Sequence, residues 1–297
     1  MSRCRSNEHR RSLGLLAGLV LALLPEPGRA QACCAGAIAG QLGRLALHEE
    51  ALVGLTLRAE RTLGSFGDDG AYRPYGSEAL LFEESLFGNV RLGERVQASA
   101  FVRLVQNHVR TRREWGFGGG LGDVQLSARY DFLFAGESVR IPGIAVLAGL
   151  GLPTGRAPEE TTHPLGVEAT GRGGVRAWGG LAIEQGFGPA FAQLQALLLH
   201  DVRRSADGRE YGGRWGYDAS LLLGASLPSE LTLALVARLE AQPEGARHLW
   251  RLGMSGGYPL RSWRLQAGFF LDPPFDGLGR NENVRLGLHL AVTRTWT

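Results

Sequence analysis

The residues of this chain best suited to chemistry are guanidinium and carboxylate groups set two positions apart. Arg58 precedes Glu60, Arg129 precedes Asp131, and Arg238 precedes Glu240. The same phase carries Arg91, Arg103, Arg176, Arg251, Arg264 and Arg285, with Glu83, Asp123, Glu184, Asp201, Asp218 and Asp272. In an extended chain, positions two apart share a face, so these groups form ladders of mixed sign. Such ladders either line a wet passage and orient a solute in it, or neutralise one another and hold an interior shut. The residues expected to line a passage are Arg91, Arg103, Asp123, Arg129, Asp131, Arg176, Glu184, Asp218, Arg238, Glu240, Arg264, Asp272 and Arg285.

Other chemistries have weaker support. Gly253-Met254-Ser255-Gly256-Gly257 matches a nucleophile elbow, but an elbow needs a strand–turn–helix setting, and here a tight turn and another strand follow. His108, His200 and His289 lack metal-ligand spacing, so no metal or cofactor is expected. The glycines of 116–122 precede no helix that could bind an anion and are expected to form a flexible loop. The chain contains no Lys, which excludes P-loop and Schiff-base lysine chemistry.

Something periodic must position the charged groups, and the period is two. In 122–134, Val124, Leu126, Ala128, Tyr130 and Phe132 share one face, while Asp123, Gln125, Ser127, Arg129 and Asp131 share the other. Twelve such runs occur, at 51–64, 77–92, 96–108, 122–134, 140–152, 174–185, 190–202, 214–226, 231–242, 248–258, 262–272 and 284–297. Tilted membrane strands need about 9–11 residues, whereas globular strands average about 5–6; these runs suit a bilayer. The connections alternate, long at 65–76, 109–121, 153–173, 203–213 and 273–283, short at 93–95, 135–139, 186–189, 227–230 and 259–261, and modest at 243–247. An even strand count with short turns at one end and long loops at the other is the plan of a bacterial outer-membrane barrel. The expected fold is all-β, a transmembrane antiparallel up-and-down β-barrel of about 12 strands.

Cost decides which face meets lipid. Turning the 122–134 run by one residue would send Asp123, Arg129 and Asp131 into hydrocarbon, at roughly 2–4 kcal/mol for a mid-bilayer Arg. The apolar faces hold three charges, Arg61, Glu84 and Arg294. Arg61 and Arg294 lie near strand ends, from which long side chains reach the interface; Glu84 calls for a bulge or a changed register. Aromatics are expected in two interfacial belts, with Trp215, Tyr217 and Trp250 at outer ends and Phe134, Phe191, Tyr258, Trp263 and Trp296 at inner ends. Val284, Leu286, Leu288, Leu290 and Val292 lead to Trp296, like a closing strand read by the barrel-assembly machinery, although Arg294 interrupts the phase and Thr297 follows.

Residues 1–32 read as a signal peptide, with a basic start, an apolar run over 13–24, and Ala30-Gln31-Ala32 as the cleavage pattern. That run is too short to anchor in a bilayer. Removing this segment takes five Arg and two acids, leaving 27 of each. The mature chain is neutral, and its calculated basicity is no argument for nucleic acid. Cys4 leaves with the signal; Cys33 and Cys34 are unmodified, joined, or lipid-modified at Cys33.

Two motifs carry a resemblance. Gly120-Leu121-Gly122-Asp123-Val124, continuing to Tyr130, and Gly149-Leu150-Gly151-Leu152-Pro153-Thr154-Gly155-Arg156 resemble hallmarks of the transporter barrels grouped with the MetA pathway of phenol degradation. Cys33-Cys34, Gly43-Arg44-Leu45 and Leu47-His48-Glu49 resemble myxobacterial-type members. The resemblance covers about a quarter of the chain and implies an outer-membrane pore or uptake barrel with no catalytic residue. The resulting expectation is a signal peptide at 1–32, a periplasmic segment at 33–50 and a barrel at 51–297. Its partners would be outer-membrane lipids, the assembly machinery and a small solute of hydrophobic or aromatic kind. The alternatives are a closed structural or adhesion barrel, and an outer-membrane hydrolase using Ser255.

Overall fold

Alternating side chains form a wall only if every strand finds two neighbours. In the computed structural model, which describes residues 44–135, 140–206 and 208–297, they do. The strands are β1 (Ala51–Phe66), β2 (Glu78–Arg91), β3 (Val96–Arg110), β4 (Trp115–Leu121 continued by Val124–Leu133), β5 (Gly143–Leu152) and β6 (Arg176–Phe187). They continue as β7 (Ala190–Asp201), β8 (Arg214–Ser226), β9 (Thr232–Gln242), β10 (Arg247–Leu260), β11 (Trp263–Leu271) and β12 (Asn283–Trp296). Each pairs antiparallel with the next, and β12 returns to β1 in a register running from Ala51 opposite Trp296 to Ser65 opposite Asn283. The result is a closed barrel of 12 strands with no free edge. The export segment, Cys4, Cys33 and Cys34 lie outside the described residues.

The connections at one end are brief. β6 and β7 are joined by Gly188-Pro189, with Gly188 at φ 62°, and β10 and β11 by Arg261-Ser262, with Arg261 at φ 55°. Such left-handed residues match the twist of paired strands. The opposite end carries 67–77, 153–175, 202–213 and 272–282. Short strands at Tyr72–Pro74 and Gly279–Arg280 extend the wall there, and Arg204–Ala206 pairs with Arg209–Tyr211 in a separate hairpin.

Three expectations need correction. The stretch 116–122 is no flexible loop: Trp115–Leu121 pairs with Leu104–Arg110 of β3. Glycines contribute no side chains to an alternation, so the pattern is silent there. Phe191 does not join the inner belt; it faces inward, 3% exposed. Nor does a bulge remove Glu84 from the lipid face. Its strand pairs without interruption with β1 and β3, opposite Leu57 and Leu104, and nothing in the structure explains it.

Large apolar side chains cover the outside, among them Leu126, Leu181, Leu235, Leu252, Leu288 and Leu290. No helix among the described residues is long and apolar enough to cross a membrane; the strands do the crossing. Leu290, mid-strand and 57% exposed, provides a direct test. Leu290→Arg should destabilise the folded barrel in phospholipid vesicles by about 2–4 kcal/mol, read as the loss of the heat-modifiable gel band at lower urea. An unchanged midpoint would place this face away from lipid.

Candidate functional site: the charged lumen

The inward positions of neighbouring strands bring the ladders together. Arg238 of β9 stands directly opposite Arg251 of β10, an arrangement that repels unless each finds an anion. Each turns to a different carboxylate. Arg238 donates through Nε to Asp218 at 2.8 Å, and Arg251 donates to both oxygens of Asp272 at 2.6 and 3.0 Å. Asp272 also accepts the backbone N–H of Arg285 at 3.0 Å, and the Arg285 side chain reaches Glu60, 3.3 Å away. Glu60 pairs with Arg58 as well. The guanidinium carbons of Arg58 and Arg251 lie 4.6 and 4.2 Å from the centre of the Phe270 ring, a cation–π pairing shielded from bulk water. Further round, Arg176 grips Asp201 with two bonds of 2.5 and 2.7 Å, and Gln242 donates to the same carboxylate at 3.1 Å.

The short-turn end is occupied by residues that alternation could not reveal. The segment 44–50 folds into the barrel mouth, with Leu45 buried against Leu52, Phe87 and Phe101. Arg44 pairs with Glu184, which also accepts from Arg129 at 3.0 Å; Arg129 in turn bonds Asp131 at 2.8 Å. Gln97 ties the ladder to the backbone by donating to Asp131 at 3.0 Å and accepting from the Leu45 N–H at 3.1 Å. Glu49 caps its own turn by accepting the Ala46 N–H at 2.7 Å and pairs with Arg264. Arg91 donates to the carbonyls of Ala46 and Glu49 at 2.6 and 3.0 Å. Arg44 and Glu49 were missed because a turn has no period of two; only the resemblance at Gly43–Leu45 and Leu47–Glu49 pointed at them.

At the opposite end, the loop 153–175 folds back onto the wall, and the two resembling motifs meet. Thr154 accepts the Val124 N–H at 2.9 Å and donates to the Gly122 carbonyl at 2.8 Å. Asp123, at the break in β4, accepts the N–H groups of Gly155 at 3.1 Å and Arg172 at 2.8 Å. Thr170 donates to the Leu121 carbonyl at 2.7 Å, and Asn107 donates to the carbonyls of Val167 and Ala169 at 3.0 and 2.8 Å. Gly118 permits this contact, since a Cβ there would sit 2.8 Å from the Val167 carbonyl oxygen. Within the loop, the Thr162 backbone N–H and then its hydroxyl hold the Glu168 carboxyl below the usual carboxylate range.

Between floor and loop lies a cavity of about 520 Å³. Of the residues expected to line a passage, Arg103, Asp123, Arg129, Arg176, Asp218, Arg238, Glu240, Arg264 and Arg285 border it. Asp131, Glu184 and Asp272 face inward but are buried behind their arginines, and Arg91 lies in the floor. Arg172, not expected from the pattern, joins them from the loop. Ser255 is buried mid-strand in β10 rather than at an elbow. It flanks Gly268 on the side opposite His289, whose Nε2 has no hydrogen-bond partner among the described residues. No cluster of metal-ligating side chains occurs among the described residues.

This architecture is that of a bacterial outer-membrane β-barrel. No family model matches the chain, and no curated protein sequence does either. Solved structures match it in fold. An outer membrane channel from Pseudomonas putida F1 superposes with a TM-score of 0.65 at 14% identity, covering 84% of this chain and 97% of that one. The NanC porin superposes at 0.50 and 10% identity, covering 82% and 100%. The translocator domain of the autotransporter NalP from Neisseria meningitidis superposes at 0.50 and 14% identity, covering 97% and 98%.

Proposed function

We propose that this protein is an outer-membrane conduit for small solutes, exported by a signal peptide at 1–32, and that the inward charges of the alternating strands orient solute in its lumen. The observation that carries the reading is the cavity itself. Eight strands leave an interior just filled by side chains and sixteen leave a channel; here 12 strands hold a space of about 520 Å³ lined by paired charges. The fold likeness to a channel and a porin supports the same reading. The resemblance to the transporters of the phenol-degradation type would make the solute hydrophobic or aromatic. The test is conductance in planar bilayers: discrete steps are expected, and silence at all voltages would overturn the reading.

A second reading, a closed structural barrel, is favoured by the floor that residues 44–50 build. A chain lacking residues 33–50 distinguishes the two. A gated conduit gains conductance on losing its floor, whereas a structural barrel stays silent.

A further inference from the structure

We propose that the part of the cavity beside the in-folded loop binds small organic carboxylates with an apolar body, held by Arg172 and Arg103; this deepens the conduit reading and rests on it. Ten arginines but only five carboxylates border the cavity, because further carboxylates, Asp131, Glu184 and Asp272 among them, sit behind the guanidinium groups. Eight of those arginines have a carboxylate oxygen within 3.3 Å. Arg172 and Arg103 do not.

Arg172 is exposed to the cavity, and no described carboxylate lies within ion-pair distance of its guanidinium. Its backbone alone is tied, the N–H to Asp123 and the carbonyl to Arg204. Arg103 has only Glu83 at 3.7 Å, and its Nε is buried without an acceptor among the described residues. A buried N–H left unpaired is costly, and a ligand oxygen would relieve it. The backbone of Arg172 lies beside Asp123, and Arg103 lies beside the preceding residue, Gly122. A Cβ on that glycine would lie 2.5 Å from Arg103 Cγ and 3.2 Å from the carbonyl oxygen of Thr170, two residues before Arg172. Enclosure by the barrel, which strips bulk water from a side chain that still faces the cavity, and then repulsion from Arg176 lower the Arg172 pKa to about 10, an unfavourable surrounding that an anion would improve.

The ligand class follows from the lining. One unpaired guanidinium and one spare donor match a single negative charge, and a guanidinium fork fits the two oxygens of a carboxylate. Phe101 and Val105 share a face with Arg103, and Leu147, Trp178 and Leu197 border the same space. The volume is within the about 300–1,000 Å³ of small-molecule sites. An anion with no apolar body would leave those side chains wet.

The test is calorimetry on the full barrel in detergent micelles with hexanoate, hexanol and acetate. Hexanoate is expected to bind at least about tenfold more tightly than either control, and Arg172→Gln and Arg103→Gln each to weaken it about ten- to a hundredfold. Arg172 takes part in no ion pair, so its variant keeps the heat-modifiable band of the parent. Equal binding of hexanol and hexanoate, or undiminished binding by Arg172→Gln, would overturn the site. A barrel that binds hexanoate but never conducts would keep the site and discard the conduit. One that conducts without binding it would do the reverse.

Discussion

Replacing Glu184 with Ala is expected to cost the barrel about 3–5 kcal/mol, the penalty for removing one partner of a buried ion pair. The carboxylate is 1% exposed and serves two cations, Arg44 and Arg129. Its loss takes one anion from each. Asp131 retains Arg129, and the floor segment loses the tie to the wall that runs from Arg44 to Glu184. The measurement is the urea concentration at which the folded gel band disappears, followed by single-channel recording. A midpoint within about 1 kcal/mol of the parent would mean that the pair contributes little, as exposed ion pairs do. Glu184→Gln separates charge from shape: it keeps an acceptor for Arg129 and should fall between the two.

Asp123→Ala is expected to free the loop 153–175 without unfolding the barrel. The buried carboxylate accepts two backbone N–H groups, from Gly155 and Arg172. Hydrogen bonds to a charged group contribute about 1.5–3 kcal/mol each. The pairings of β4 with β3 and β5 do not involve this side chain, so the gel shift should persist. Trypsin added to reconstituted vesicles should cut after Arg156 or Arg172 at least about tenfold faster than in the parent, because cleavage follows the population of the opened loop. Cutting at an unchanged rate would show that Thr154, Thr170 and Asn107 hold the loop by themselves.

How much of this was legible beforehand depends on whether a residue repeats. The twelve runs correspond to twelve strands because hydrocarbon outside and charge inside leave a period-two trace that no loop imitates. The paired charges Arg129 and Asp131, and Arg238 with Asp218, follow the same logic, since one register slip would move a whole strand's charges into lipid. The trace fails where side chains are missing or geometry is local. The row Gly116, Gly118, Gly119 and Gly120 looked like a loop and is a strand. Arg44, Glu49 and Arg172 lie in a turn and a loop, where nothing in the spacing says that their side chains face the lumen. The two motifs of the resemblance are 30 residues apart in sequence, and only folding shows that Thr154 and Asp123 exist to join them.

The seam between β1 and β12 is also where the floor is fastened. Glu50 donates its N–H to the Trp296 carbonyl at 2.8 Å, and its own carbonyl accepts the Arg91 N–H at 2.8 Å. The residue that leads out of the floor is therefore stitched to the final strand on one side and to β2 on the other. The ring cannot zip shut until the last strand arrives, and when it does, the same stitch locks the floor segment in place. A chain cut short before β12 would keep two raw borders and an unfastened base, a form that proteases and quality-control factors could tell from the finished cylinder.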